Sequence, residues 1–271
     1  MSTEETGQIL RNYGIAPNKL LGQNFTVEYS VFVRLAQYAN LAKDDVVLDA
    51  GAGFGFLTSF LSDNCRSVVA VEKDPIVAKV LRERLRRKNN VTVILGDVLK
   101  SELPNYNKIL AIPPYYLSSR LILWLLNRKV DCVVLVFQKE FADRLVATVG
   151  SEAYSWLTVV ANRSLEVGLL DSVSKESFYP QPEVDSVIVR IVPCVPRFEV
   201  VDELFFTQMV KWLFTQRNKK LRNALTPFIR SVRKIGKDEA ERIADSLAFK
   251  DKRVRSLSPE AFGELANAIT D

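Results

Sequence analysis

Apolar residues fall in short, nearly unbroken runs along the first half of the chain. "DVVLDA" (45–50), "SVVAVE" (67–72), "VTVIL" (91–95), "KILAI" (108–112) and "CVVLVF" (132–137) are of this kind. Runs this short, rich in branched residues, predict strands covered on both faces. The segments between them keep a helical spacing instead. A glycine-rich turn leads into a helix-like stretch ending near Asn64. Residues 75–88, "PIVAKVLRERLRRK", place Pro75 at a first helical position, and a further helix is expected from about Ser118 to Asn127. Strand alternating with helix predicts a doubly wound parallel sheet. Later runs near 155–170 and 184–192 are β-branched and closer together, which predicts an antiparallel edge on that sheet. "PCVPRF" (193–198) interrupts the pattern with two prolines. The boundary is set there, giving domains 1–193 and 194–271. Beyond it helices are expected at about 202–215, 217–225, 237–247 and 258–268, the last opened by Ser258 before Pro259 and Glu260.

Composition narrows the chemistry more than the fold. The 271 residues suit one large domain, or a medium domain with a small one. Net charge is +5 and unevenly spread: residues 194–271 hold 15 Lys+Arg against 11 Asp+Glu, and the remainder hold 22 against 21. The excess lies at the C-terminal end, where it can meet phosphates or simply form a solvated helical surface. There is no histidine, which excludes Ser-His-Asp and Cys-His nucleophilic machinery and histidine metal sites. Cys65, Cys132 and Cys194 are scattered, so neither a disulfide framework nor a zinc site is expected. The opening "MSTEETGQIL" does not read as a secretory signal, and the longest strongly apolar stretch, Cys132 to Phe137, is too short to cross a bilayer. A cytoplasmic, membrane-free, monomeric protein with no metal is expected.

The strongest single motif is "VLDAGAGFGFLT" (47–58), in which a strand ends at Asp49 and Gly51, Gly53 and Gly55 alternate before a helix. Glycines here let the backbone bend and approach a ligand closely. The dinucleotide pattern G-x-G-x-x-G would put its third glycine at position 56, which is Phe56; the spacing is G-x-G-x-G instead. That form resembles S-adenosylmethionine-dependent methyltransferases. Glu72 ends the second strand, placed to accept ribose hydroxyls. Asp97 follows the third strand, placed to accept from an adenine amine; Lys73 and Val98 stand beside these acids. Taken singly, the turn, Glu72 and Asp97 are also compatible with a structural βα turn, a strand end and a helix cap.

Longer motifs carry a more specific likeness. "NKLLGQNF" (18–25), the glycine turn, "VFQKEFADRL" (136–145), "FYPQPEVDSVIVRI" (178–191) and "LFTQRNKKLRNAL" (213–225) occur in this order. Together they resemble the rRNA adenine dimethyltransferase family over roughly residues 8 to 260. The resemblance implies a Rossmann-like S-adenosylmethionine-dependent methyltransferase domain with a small C-terminal helical domain. It implies S-adenosyl-L-methionine as cofactor, held by Gln23, Asn24, Phe25, Asp49, Gly51, Gly53, Gly55, Glu72, Lys73, Asp97, Val98 and Ile112. The implied activity is dimethylation of adjacent adenines near the 3′ end of small-subunit rRNA during ribosome biogenesis. Small-subunit rRNA and the small ribosomal subunit precursor are the implied partners; bacterial, archaeal and eukaryotic branches stay open.

One departure bears on the chemistry. The family's catalytic turn is usually Asn-Leu-Pro-Tyr, and here it is Ile112-Pro113-Pro114-Tyr115. An adenine amine is a weak nucleophile facing a strongly electrophilic sulfonium methyl. Alignment at about 3 Å, with acceptors around the amine, can therefore carry the reaction without a histidine. Ile112 accepts no hydrogen bond; the carbonyl of Pro113, held by proline's fixed φ, remains. Tyr115 and Phe178 are expected to sandwich a flipped adenine, and Tyr116 is left unassigned. Residues 211–237 contain nine Lys+Arg and no acid, with Arg217, Lys219, Lys220 and Arg222 the densest group, expected on RNA phosphates. The basic run from Arg82 to Lys88 is read as a solvated helix face. Two other readings stay beside the first: an rRNA-binding assembly factor with weak or lost catalysis, and methylation of large-subunit rRNA.

Overall fold

The computed structural model describes residues 3–16 and 24–270. Two compact units emerge: residues 1–142 with 167–193, and residues 143–166 with 194–271. The first unit holds α1 (Thr3–Asn12), β1 (Phe25–Thr26), α2 (Tyr29–Tyr38), β2 (Val46–Ala50), α3 (Phe56–Asn64), β3 (Ser67–Glu72), α4 (Pro75–Leu85), β4 (Val91–Leu95), β5 (Lys108–Ala111), α5 (Ser118–Leu125) and β6 (Cys132–Gln138). The helix α6 (Lys139–Leu145) leads into the second unit, and β7 (Leu165–Val173), β8 (Phe178–Tyr179) and β9 (Ser186–Pro193) return to the first.

The main sheet runs β4-β3-β2-β5-β6-β9-β7. β2 lies parallel to both β3 and β5, with Val47 opposite Val68 on one side and Lys108 on the other. β9 is antiparallel to β6, as the closely spaced run near 184–192 predicts. Strand order reverses on either side of β2, so the crevice at the carboxyl ends of β2 and β5 is a topological switch point, where such sheets hold ligands. β5 and β6 are buried almost throughout, which is why their sequences read as continuous apolar runs. A two-stranded ribbon, β1 with β8, stands apart and pairs Phe25 with Tyr179 and Thr26 with Phe178.

The opposite, amino-terminal end of the sheet is fastened by charge. Lys108 Nζ lies 2.7 Å from Asp45 Oδ2 and donates to the Asn40 carbonyl at 2.8 Å. Asn107 donates to Asp45 at 2.7 Å and accepts from the Val46 N–H at 2.8 Å. Burial pushes the Asp45 carboxyl up. Lys108, the Ala42 N–H and Asn107 outweigh this and hold it below its ordinary value.

The second unit contains α7 (Trp156–Ser164), α8 (Glu203–Phe214), α9 (Leu221–Arg233), α10 (Lys237–Ser246) and α11 (Pro259–Thr270). Three expectations change here. The segment 155–170 opens as a helix, not a strand, because Ser155 and Thr158 form a capping box and Leu157 to Ala161 are all buried. A helix buried on every side shows no period. The helix expected at 217–225 runs instead over 221–233 and contains Pro227; Lys220, extended at φ −61° and ψ 144°, precedes it. The single cut at 193/194 becomes three crossings, because 143–166 packs with the C-terminal helices. Tyr154, fully buried, donates to the Leu257 carbonyl at 2.8 Å, and Arg163 pairs with Glu203 at 2.9 Å. No helix among the described residues is long and apolar enough to cross a membrane.

Candidate active site

The glycine turn after β2 is bent as its composition requires. Gly51, Gly53 and Gly55 have φ of 86°, 56° and 81°, in the left-handed region that disfavours side chains. At Gly51 the steric demand is equally direct: a Cβ would stand 2.8 Å from Pro114 Cδ. The turn after β2 and the proline turn after β5 are thus packed against each other. Gly55 precedes α3 and faces Leu81, where a Cβ would come within 2.5 Å of Cδ1, so its role is helix–helix packing.

Glu72, at the end of β3, organises the rim. Its Oε2 accepts from the Gly53 N–H at 2.9 Å, and its Oε1 accepts from the N–H groups of Lys73 and Asp74 at 2.8 and 2.9 Å. Burial raises its pKa, opposed by those three N–H bonds. Asp97 accepts from the Leu99 N–H at 3.1 Å and lies 3.5 Å from Lys73 Nζ. It is therefore a local turn cap as well as an acid facing the cleft.

These elements line one open cleft. Asn24, Phe25, Gly51, Gly53, Glu72, Lys73, Asp97, Val98, Ile112 and Pro114 all line it. The Phe25 ring is fixed by stacking on Phe54 at 4.0 Å. Asp49 is not on this wall. It is 1 % exposed, accepts from the Thr58 hydroxyl at 2.7 Å, and borders an adjoining smaller cavity shared with Ile112 and Gly51. Burial pushes its pKa up to about 7, with Thr58 opposing and Glu72 adding to the rise. Gln23 lies outside the described residues.

The catalytic turn is less uniform than its motif implies. Ile112 is half-buried, lines the cleft and packs against the main core. Pro113 is buried. Tyr115 does not line the cleft; its hydroxyl is 2.8 Å from Ser186 Oγ on β9, and its carbonyl accepts from the Ser118 hydroxyl at 2.8 Å. The cleft wall is completed by Tyr116, 41 % exposed, and by Leu117, neither singled out from the sequence. Phe178 is 3 % exposed and borders a separate hollow beside Leu10 and Arg11 of α1. Of the residues expected to hold the cofactor, Asn24, Phe25, Gly51, Gly53, Glu72, Lys73, Asp97, Val98 and Ile112 share the cleft; Asp49 and Gly55 do not line it, and Phe178 lies at a separate hollow.

The basic group of the second unit is partly engaged. Arg217 donates to the carbonyls of Glu152 and Ser151, both at 2.9 Å. Lys219 donates to Gln216 at 2.8 Å, Lys220 lies 3.2 Å from Asp251, and Arg222 lies 3.7 Å from Asp245. Lys219 and Lys220 are exposed; Arg217 and Arg222 are half-buried.

Comparison with known proteins agrees with this arrangement. The description of the ribosomal RNA adenine dimethylase family matches residues 16–266. A probable ribosomal RNA small subunit methyltransferase A from Methanosarcina barkeri is 37% identical over 265 residues, covering 97% of this chain and 91% of that protein. A protein of the same description from Pyrococcus abyssi is 35% identical, covering 97% and 96%. Among solved structures, a dimethyladenosine transferase from Plasmodium falciparum superposes with a TM-score of 0.71 at 26% identity, covering 89% of this chain and 95% of that one. The 23S rRNA methyltransferase ErmE gives 0.64 at 29% identity, covering 92% and 100%. A family match over nearly the whole chain, on a Rossmann-like sheet with its cleft at the switch point, places the protein among the ribosomal RNA adenine dimethylases.

Proposed function

We propose that this protein uses S-adenosyl-L-methionine to dimethylate the exocyclic amines of adjacent adenines near the 3′ end of small-subunit rRNA, acting as a cytoplasmic monomer on a small-subunit precursor. The observation that carries the reading is the single cleft in which Gly51, Gly53, Glu72 and Asp97 meet the Ile112–Pro114 turn. The residues fit the cofactor: Gly51 and Gly53 leave room that a Cβ would narrow, and two carboxylates stand at the rim where hydroxyl and amine donors would enter. Glu72 and Asp97 would hold the nucleoside end, with Val98 and Val77 supplying apolar walls. Asn24, Phe25 and the glycine turn would hold the amino-acid end. When bound, the cofactor supplies an electrophilic methyl group on a sulfonium.

What this chain adds is alignment. The Pro113 carbonyl, in a turn stiffened by two prolines, accepts from the target amine and favours its tetrahedral form. Tyr115, clamped at its hydroxyl and its carbonyl, offers a ring to the extruded base. Lys219 and Lys220 contribute exposed positive charge to rRNA phosphates. Mass spectrometry of small-subunit rRNA, after incubating subunits with the protein and S-adenosylmethionine, tests the reading; dimethyladenosine is expected, and unmodified rRNA at every assembly stage would reject it.

A second reading rests on Ile112, which presents only hydrocarbon to the cleft. Under it the protein binds precursor rRNA as an assembly factor with little transfer. Subunit binding without measurable methylation would favour it.

A further inference from the structure

β9 begins with Ser186, Val187, Ile188 and Val189, all buried, and Ser186 is fully so. A serine in such a strand position gives up hydration for little packing, unless its hydroxyl has a partner. That partner is the phenol of Tyr115, 71 residues earlier, at 2.8 Å. Tyr115 follows Pro113 and Pro114 directly, and its ring is half-buried with the hydroxyl end turned into the core. Its main chain is held separately, since Ser118 Oγ donates to its carbonyl and the Leu117 N–H donates to Pro114 O at 2.9 Å. Backbone and ring are thus fixed by independent bonds. Ser186 itself is held in register opposite Gln138 at the end of β6.

We infer that Ser186 is a positioning residue for methyl transfer: its hydroxyl pins the far end of the Tyr115 ring, so that the ring keeps one position against which an extruded adenine stacks with its amine in line. The inference rests on the dimethylation reading for its purpose, but the restraint on the ring is a separate fact that can be measured alone. The phenol oxygen lies on the χ2 axis, so a buried hydroxyl bond there leaves χ2 to packing and removes the χ1 swing that would carry the ring away. Without it the ring samples several χ1 positions, and the base it carries loses alignment. Misplacement of this kind costs roughly ten- to a hundredfold in turnover. The cofactor cleft is lined by other residues, so cofactor affinity is not expected to move.

Two readouts on the full chain test this. In the first, wild type, Ser186→Ala, Tyr115→Phe and the double variant are assayed for methyl transfer to small ribosomal subunits, with cofactor affinity and thermal midpoint measured in parallel. Each single change is expected to lower kcat ten- to a hundredfold at constant cofactor affinity, and the double variant no further. In the second, fluorotyrosine-labelled protein is followed by fluorine NMR, the Tyr115 signal being identified by its loss in Tyr115→Phe. One sharp resonance is expected in the wild type, and a broadened or divided one in Ser186→Ala. If the wild type transfers no methyl yet its resonance responds to Ser186→Ala, the dimethylation reading fails and the restraint stands. If the resonance and kcat both ignore Ser186→Ala, or the two single effects multiply in the double variant, the inference is overturned.

Discussion

Replacing Ile112 by Asn is the most direct question that can be put to this site. The Ile112 side chain lines the cleft, so an asparagine there would present its carboxamide to the same space. Two effects oppose each other. Ile112 packs against the main core while half-buried, so losing its hydrocarbon costs on the order of 1 kcal/mol and a few degrees in thermal midpoint. Under the proposed mechanism, the new carbonyl supplies a second acceptor beside that of Pro113, where positive charge would develop on the amine. Acceptors or donors of this type are worth about 2.7–4 kcal/mol, a hundred- to a thousandfold in rate. The net expectation is an enzyme slightly less stable and up to a thousandfold faster. Single-turnover transfer of labelled methyl groups to small subunits, at saturating cofactor, reads the chemical step without product release. A variant that folds, binds cofactor with unchanged affinity and shows no gain would refute the reasoning that an absent acceptor at this position limits the rate.

Other perturbations follow from the same geometry. Gly51→Ala is expected to weaken cofactor binding at least tenfold by calorimetric titration, because a left-handed residue costs roughly 1–2 kcal/mol and the Cβ collides with Pro114. Asp49 has its pKa raised to about 7, so the folded state favours its protonated form, and stability is lost as pH rises from the ordinary carboxylate range through about 7. Asp49→Asn, which keeps an acceptor for Thr58, should therefore gain in thermal midpoint over wild type at pH 8 and show little gain at pH 5. Lys108→Met leaves Asp45 buried without its cation, held only by the Ala42 N–H and Asn107, a loss of up to about 3–5 kcal/mol that thermal denaturation would register as a fall of up to roughly ten degrees at neutral pH. The folded pKa of Asp45 is depressed, so its contribution is present above the unfolded value and fades as pH falls through the folded one; the gap between wild type and Lys108→Met should shrink in acid.

What the sequence disclosed depended on how local the cause was. Strands such as Cys132–Gln138 were legible because both faces are covered and hydrocarbon is required at nearly every position. The glycine turn was legible because three residues in a left-handed conformation leave their mark in composition. α7 was not, since burial on all sides erases the helical period and its Val159–Val160 pair reads as strand. The segment 143–166 could not be assigned to the C-terminal unit, because the bonds that bind it there, such as Tyr154 to Leu257, span about a hundred residues. In the site, Glu72 and Asp97 were readable from their place at strand ends, whereas Tyr116 reaches the cleft only through the direction the proline turn takes. Arg217 looked like a free charge in the sequence. Its acceptors are main-chain carbonyls, which no residue pattern encodes.

The contact between Gly51 and Pro114 has a historical corollary. Two loops encoded far apart in the gene meet with no room for one additional carbon, so neither can drift alone. A lineage that enlarged residue 51 would first have to release the ring at 114, and in doing so would loosen the adjoining carbonyl of Pro113, the acceptor in the proposed mechanism. The path to a new chemistry on this scaffold is therefore narrow at that point and open at the neighbouring position 112, where substitution meets a cavity instead of a wall.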